Sequence, residues 1–232
     1  MSTIAASPID IVRGKTDSCL GWLRPAEFSS HAGVAAAIIV IGCGLYGGAI
    51  GSWRDPMMGV YVGIKFPMMI FLTLLANGMI NGMIAAAIGS GLGFRESVQS
   101  QLMSFMIFAL MLGSLSPIAF GMAWNAPEPD SPQRQQAHDL QLLIHTVVIA
   151  YAGIISNYKL FHMLRAKTGS RSLAMKTMFC WLAGNLFVGA QVAYVMRPFF
   201  GTPGLPVEFM REDAFNSNFY EAILQTINRT LT

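Results

Sequence analysis

Apolar residues run almost without interruption through five stretches of this chain, and polar residues gather between them. A helix that crosses a bilayer needs about 20 predominantly apolar residues. The pattern therefore predicts an all-α fold: a polytopic helical membrane bundle of about five transmembrane helices with amphipathic terminal segments. The predicted spans are residues 33–53, 66–88, 102–124, 140–160 and 178–195.

The composition agrees with this pattern. Hydrophobic residues make up 53% of the chain and charged residues 12%, whereas soluble domains carry about 25% charged residues. The formal net charge is only +3, and the basic residues are scattered among loops. We therefore expect the lipid bilayer as the main surroundings of the chain and no nucleic acid as a partner.

Proline and lysine positions refine the predicted spans. Residues 57–64 are apolar but stop at Lys65 and Pro67. This predicts an interfacial lead-in whose Lys65 reaches the headgroups, with Pro67 in the first turn of the second span. Pro117 lies inside the third span, where it predicts a kink whose freed carbonyls are satisfied by nearby serine hydroxyls.

Three regions follow from the pattern: a cytoplasmic amphipathic segment at 1–32, the bundle at 33–197 and an outward-facing tail at 198–232. No cleavable signal peptide is predicted. With five crossings, most of the 15 Lys and Arg residues fall on the side that holds the N-terminus. The positive-inside rule then places the N-terminus in the cytoplasm, in a bacterial inner membrane. The tail predicts a short amphipathic helix with apolar positions Phe219, Ile223, Leu224 and Ile227.

Two Asn-Gly pairs lie four residues apart inside the second span. Asn77 and Asn81 are one helical turn apart, and small residues form an adjoining stripe. Small residues at this spacing let membrane helices approach closely. The predicted helix-packing positions are Gly44, Gly48, Gly78, Gly82 and Ala86.

Polar side chains inside the spans have two interpretations. A polar group in a membrane is unfavourable unless it is paired, so it should face the interior of the bundle. These groups either bond to one another as helix-packing contacts or converge on a water-filled path. The residues concerned are Asn77, Asn81, His145, Asn185 and Gln191.

The sequence offers no pattern typical of catalysis, metal or cofactor binding. Cys19, Cys43 and Cys180 are far apart and lack ligand spacing, and His145 is the only histidine deep within a predicted span. No Asp or Glu falls in the middle of a span, and the serines lack a Gly-x-Ser-x-Gly elbow. We predict no catalytic residue, no metal site and no cofactor.

Aromatic and basic residues at span ends predict contacts with lipid headgroups or with a partner. Arg197 is interpreted first as a headgroup anchor, with stacking on an aromatic ring or binding of a partner's carboxylate as alternatives. The predicted anchors are Trp22, Trp53, Arg197, Phe199 and Phe200.

The most distinctive stretch is 189–206, which reads GAQVAYVMRPFFGTPGLP. Together with Asp55-Pro56 and with Asn218-Phe219-Tyr220-Glu221, it resembles a family of uncharacterised bacterial multi-span membrane proteins. The general plan also resembles that of the Yip-type five-span proteins. The resemblance implies a small helical membrane protein and no particular chemistry.

These patterns together predict a non-enzymatic integral membrane subunit. It would assemble or scaffold a membrane complex through its small-residue packing faces, with other membrane proteins or further copies of itself as partners. The alternative is a small channel or transporter with a polar path through the membrane.

Overall fold

Helices dominate the computed structural model, which describes residues 8–13 and 16–223. Five of them are long and apolar enough to cross a membrane, which confirms the predicted all-α membrane bundle. The elements are α1 (Pro8–Val12), α2 (Thr16–Trp22), a 3-10 turn (Pro25–Glu27), α3 (Phe28–Ser52), α4 (Pro56–Ala87), α5 (Phe94–Asn125), α6 (Arg134–Thr168) and α7 (Arg171–Val195).

Short connections reverse the chain between long helices, and local chemistry fixes two of them. Asp55 accepts a hydrogen bond from the Met57 N–H at 2.7 Å and so caps α4, whose first residue is Pro56. At the other end of the bundle, Gly169 adopts a φ of +66° and ends α6, and Ser170 caps α7. We call the end of the bundle that contains Asp55 the tail end, because the C-terminal tail lies there.

Helices α3, α4 and α5 form the tightly packed part of the bundle, with glycines at their contacts. A Cβ atom added at Gly44 would lie 3.3 Å from the carbonyl oxygen of Gly63 on α4. A Cβ added at Gly42 would lie only 2.2 Å from the carbonyl oxygen of Ala109 on α5. Backbone therefore meets backbone on two sides of α3, which maximises van der Waals contact between helices.

Helices α6 and α7 are packed more loosely. In their most apolar 18-residue windows only 22% and 11% of the residues are buried, against 44% to 50% in the other three long helices. The difference leaves space between α4, α5, α6 and α7 inside the bundle. It also leaves much of α7 facing the surroundings of the chain.

The prediction of an interfacial lead-in at 57–64 is wrong. These residues form the first turns of α4, because Gly59 and Gly63 pack against α3. Lys65 is fully buried and does not reach the headgroups: its Nζ donates to the carbonyl oxygen of Pro198 at 2.8 Å. Pro67 accordingly lies in the interior of α4 instead of its first turn.

The prediction that serine supports Pro117 is confirmed. Proline lacks the N–H that would bond to the carbonyl four residues earlier, here that of Gly113. The Ser116 hydroxyl donates to this carbonyl at 2.7 Å. The helix continues through Pro117 to Asn125.

The N-terminal segment packs onto the bundle, and α2 contacts α6. Ile11 and Trp22 are buried, so the predicted headgroup anchor Trp22 is wrong. Its ring stacks on that of His31 with centroids 4.3 Å apart. Its carbonyl oxygen accepts hydrogen bonds from His31 and Gln99.

The tail beyond α7 folds back along the same helix. The Phe219 N–H donates to Gln191 Oε1 at 2.9 Å, and Tyr220 stacks on Phe187 with centroids 4.5 Å apart. Phe187 precedes the end of α7 by about 12 Å, at 1.5 Å per residue. A helical turn begins at Phe219; positions Leu224 and Ile227 of the predicted helix lie outside the described residues.

Candidate functional site: an amide cluster and two cavities

Four side-chain amides meet between α4, α5 and α7, and we call them the amide cluster: Asn77, Asn81, Gln101 and Asn185. Asn185 Oδ1 accepts from Asn77 Nδ2 at 3.1 Å and from Asn81 Nδ2 at 3.2 Å. Asn81 Nδ2 also donates to Gln101 Oε1 at 2.7 Å. The cluster therefore joins three helices by hydrogen bonds inside the predicted membrane layer.

Backbone groups and a small residue complete the cluster. Asn77 Nδ2 also donates to the Gly184 carbonyl at 3.1 Å, and Trp181 Nε1 donates to the Asn81 carbonyl at 2.8 Å. A Cβ at Gly184 would lie 3.5 Å from Asn81 Oδ1 and 3.7 Å from Asn77 Oδ1, which are ordinary van der Waals distances, so α7 lies directly beside both amides here. Asn81 Oδ1 is buried without a hydrogen-bond partner among the described residues.

The five predicted polar residues do not converge on one site, which corrects the prediction for two of them. His145 lies apart from the cluster, where its Nδ1 is 2.9 Å from the Tyr46 hydroxyl and its ring is near Phe200. Gln191 holds the tail through Phe219. Sequence reasoning missed Gln101, because the third span was predicted to begin at residue 102, whereas α5 begins at Phe94.

The small-residue positions divide into three groups. Gly44 and Gly48 face α4: a Cβ added at these positions would lie 3.3 and 3.7 Å from carbonyl oxygens of α4. Gly78 and Gly82 face α5: a Cβ at Gly82 would lie 2.7 Å from the ring of Phe94. Ala86 is exposed, so it does not pack within this chain, and its role as a packing position stays a prediction.

The predicted aromatic anchors are mostly used within the chain. Trp53 is buried, and its Nε1 donates to the carbonyl of Pro127 at 2.9 Å. The exposed tryptophan at a span end is Trp124, which is 91% exposed. Phe199 lies beside the Lys65 ammonium, at 5.9 Å from nitrogen to ring centroid.

Arg197 adopts the stacked arrangement that was one of its predicted alternatives. Its guanidinium carbon lies 3.8 Å from the centroid of the Tyr194 ring. Its Nε donates to the Tyr194 carbonyl at 3.2 Å. Arg211 approaches the same ring at 5.1 Å, so two guanidinium groups lie close to Tyr194.

A cavity of about 370 Å³ lies beside the amide cluster, between α4, α5, α6 and α7; we call it the mid-bundle cavity. Its walls combine apolar side chains with hydroxyl and amide groups. The polar groups include Thr73, Gln101, Ser104, Asn157 and Asn185. Of these residues, Gln101 and Ser104 lie on α5.

A second cavity, of about 760 Å³, lies at the tail end of the bundle under residues 197–213; we call it the tail-end cavity. Its inner wall is apolar and its rim is charged. Met69 and Ala193 line both cavities, so the two are neighbours along one cleft.

Among the described residues, no group of three or more His, Cys, Asp or Glu side chains is placed to hold a metal ion. Cys19, Cys43 and Cys180 are free thiols in this structure. The resemblance to the Yip-type proteins stays a prediction. Comparison of the chain with known protein families, with curated proteins and with solved structures finds no significant match.

Proposed function

We propose that this chain is a non-enzymatic integral membrane subunit that assembles or scaffolds a membrane complex. The observation that carries the proposal is the amide cluster. Asn185 accepts hydrogen bonds from Asn77 and Asn81, and Asn81 also donates to Gln101, so these amides find their partners on the neighbouring helices of the chain. Their polarity holds α4, α5 and α7 together, which is the role expected of amides in a structural bundle.

The exposed side of α7 offers a surface for a neighbouring membrane protein. Phe179, Ala183 and Leu186 follow one another at spacings of four and three residues, and all three are exposed. They therefore lie on one stripe of the helix. The small side chain of Ala183 at its centre leaves room for a helix of another chain to approach closely.

The test is the size of the complex isolated in mild detergent. We expect a protein mass, after subtraction of detergent, above the 25.2 kDa of one chain. The variant Ala183→Trp/Leu186→Trp should reduce this mass to that of a single chain, because the indoles keep the stripe apolar but block close approach. Mass measurement by light scattering during gel filtration checks both expectations.

The matched control is Leu75→Trp/Met79→Trp, which places two indoles on the exposed side of α4. It should leave the mass of the complex unchanged. A wild-type chain that is isolated as a single copy would contradict the proposal, and so would an equal loss in both variants. Gly78 and Gly82 are unsuitable for this test, since larger residues at Gly82 would collide with Phe94 of the same chain.

A small channel or transporter is the second candidate, and the mid-bundle cavity favours it. The cavity has polar groups on four helices and borders the tail-end cavity. Under this candidate, the chain reconstituted alone in liposomes should conduct K⁺, Na⁺ or a small neutral solute. Asn185→Leu should change that flux at least several-fold. Liposomes no more permeable than protein-free ones would reject this candidate and leave the assembly proposal standing.

A further inference from the structure

The tail-end cavity combines an apolar interior with a mouth that carries charges of both signs. The inner wall includes Val62, Phe66 and Met69 of α4 and Leu142 of α6. The charged lining residues are the basic Arg197 and Arg211 and the acidic Glu208, Glu212 and Asp213. Its volume of about 760 Å³ falls in the range of small-molecule sites, about 300–1,000 Å³.

The two arginines at this mouth retain free hydrogen-bonding capacity. Arg197 uses its Nε for the Tyr194 carbonyl and forms no ion pair within the described part of the chain. Arg211 meets Asp213 at 3.7 Å, yet its Nε and Nη2 are buried without a hydrogen-bond partner. Arg197 is exposed and stacked on the Tyr194 ring, and Arg211 lies near the same ring with two unsatisfied nitrogens, so this pair of guanidinium groups is suited to a phosphate group.

The acidic residues at the mouth are also available. Glu208 and Glu212 form no ion pair with any residue that the structure describes. Three carboxylates against two guanidinium groups make the mouth unfavourable for a ligand that carries only negative charge. A ligand with a cationic group next to its phosphate would satisfy both sets.

We propose that the tail-end cavity binds a zwitterionic phospholipid. The phosphate would contact Arg197 and Arg211, and the ammonium group would contact Glu208 and Glu212. An acyl chain would lie along the apolar wall towards Ala193, where the mid-bundle cavity continues the cleft. The loose packing of α7, with 11% of its apolar window buried, leaves the cleft close to the surrounding lipid.

The test is lipid retention by the full chain. The protein is reconstituted in an equal mixture of palmitoyl-oleoyl phosphatidylethanolamine and phosphatidylglycerol, extracted in mild detergent, and analysed by native mass spectrometry. We expect one retained phosphatidylethanolamine per chain, at least threefold in excess over phosphatidylglycerol. Ala193→Phe fills the cleft and should lower retention at least fivefold. Ala150→Phe, on the exposed side of α6, should leave it unchanged.

Two headgroup variants test the charges without filling the cavity. Glu208→Gln/Glu212→Gln should abolish the preference for phosphatidylethanolamine, because the contacts to its ammonium group are lost. Arg197→Gln/Arg211→Gln should reduce retention of both lipids at least fivefold. Equal helicity by circular dichroism shows that these surface variants are folded.

Three results would overturn the proposal: no lipid retained by the wild type, equal retention of the two lipids by the wild type, or equal loss from Ala193→Phe and Ala150→Phe. The assay does not depend on the mass of the protein complex. A chain that retains the lipid but is isolated as a single copy would support this site and contradict the assembly proposal.

Discussion

Replacing Gly42 by alanine is expected to destabilise the bundle more than any other single added methyl group among the described glycines. The new Cβ would lie 2.2 Å from the Ala109 carbonyl oxygen and 2.8 Å from its carbon. Both are backbone atoms of a long helix, so no side chain can turn away. Overpacking of this kind lowers the free energy of unfolding by about 1–3 kcal/mol. Because the atoms in the way are backbone atoms, we expect a loss at or above the upper end of this range. Unfolding in mixed micelles with increasing SDS measures the loss.

The matched control is Gly33→Ala in the same helix. A Cβ at Gly33 meets no atom within 4 Å. Alanine should therefore be neutral or should stabilise α3 by up to about 1 kcal/mol, since glycine is unfavourable in a helix interior. Equal midpoints for Gly42→Ala and Gly33→Ala would contradict the backbone contact between α3 and α5.

The number and type of the helices were predictable because the signal for each membrane span lies within one continuous stretch of sequence. About 20 apolar residues in a row identify a crossing irrespective of what the helix packs against. The error at 57–64 arose where local information was ambiguous. Lys65 is polar and Pro67 disfavours helix, and both would normally end a span. The carbonyl of Pro198 and the glycine contacts with α3 reverse that preference, and neither is visible in the local sequence.

The candidate site was predictable only in part for the same reason. Asn77 and Asn81 share a helix stripe, so their common direction follows from spacing. Their partners do not follow from spacing: Asn185 lies 108 positions after Asn77, and Gln101 lies outside the predicted third span. The tail-end cavity was equally hidden, because it requires residues 197–213 to return over the bundle.

The tail explains several features that appear unrelated in the sequence. Lys65 is buried because the backbone of Pro198 accepts its hydrogen bond, and Arg54 is bound to the Leu205 carbonyl at 3.2 Å. Gln191 is satisfied by Phe219. Polar groups on α4, on α7 and in the connection between α3 and α4 thus find partners in the tail backbone. The tail in turn covers the cavity for which we propose a lipid.

Removing the hydrogen bond between Asn81 and Gln101 is expected to weaken the bundle, and a double-mutant cycle isolates its contribution. Asn81→Leu should lower the free energy of unfolding by about 1–3 kcal/mol. The change leaves Gln101 Oε1 buried without its donor, and it removes one of the two donors to Asn185 Oδ1. Coupling energies between membrane helices average about 0.6 and reach about 1.7 kcal/mol. We expect the Asn81/Gln101 coupling near the upper value, because the bond is short, at 2.7 Å, and buried. Unfolding in SDS-containing mixed micelles of the wild type, Asn81→Leu, Gln101→Leu and the double variant measures it.

A second cycle with Asn157→Leu and Gln101→Leu provides the control. Both residues line the mid-bundle cavity, but the Asn157 amide donates to the Gly153 carbonyl of its own helix, at 2.8 Å. The two side chains share no hydrogen bond, so their coupling energy should be close to zero. A coupling between Asn81 and Gln101 as small as this one would show that the amides do not hold α4 to α5. The support for a structural role would then be lost, and the cavity beside them would become the stronger indication of function.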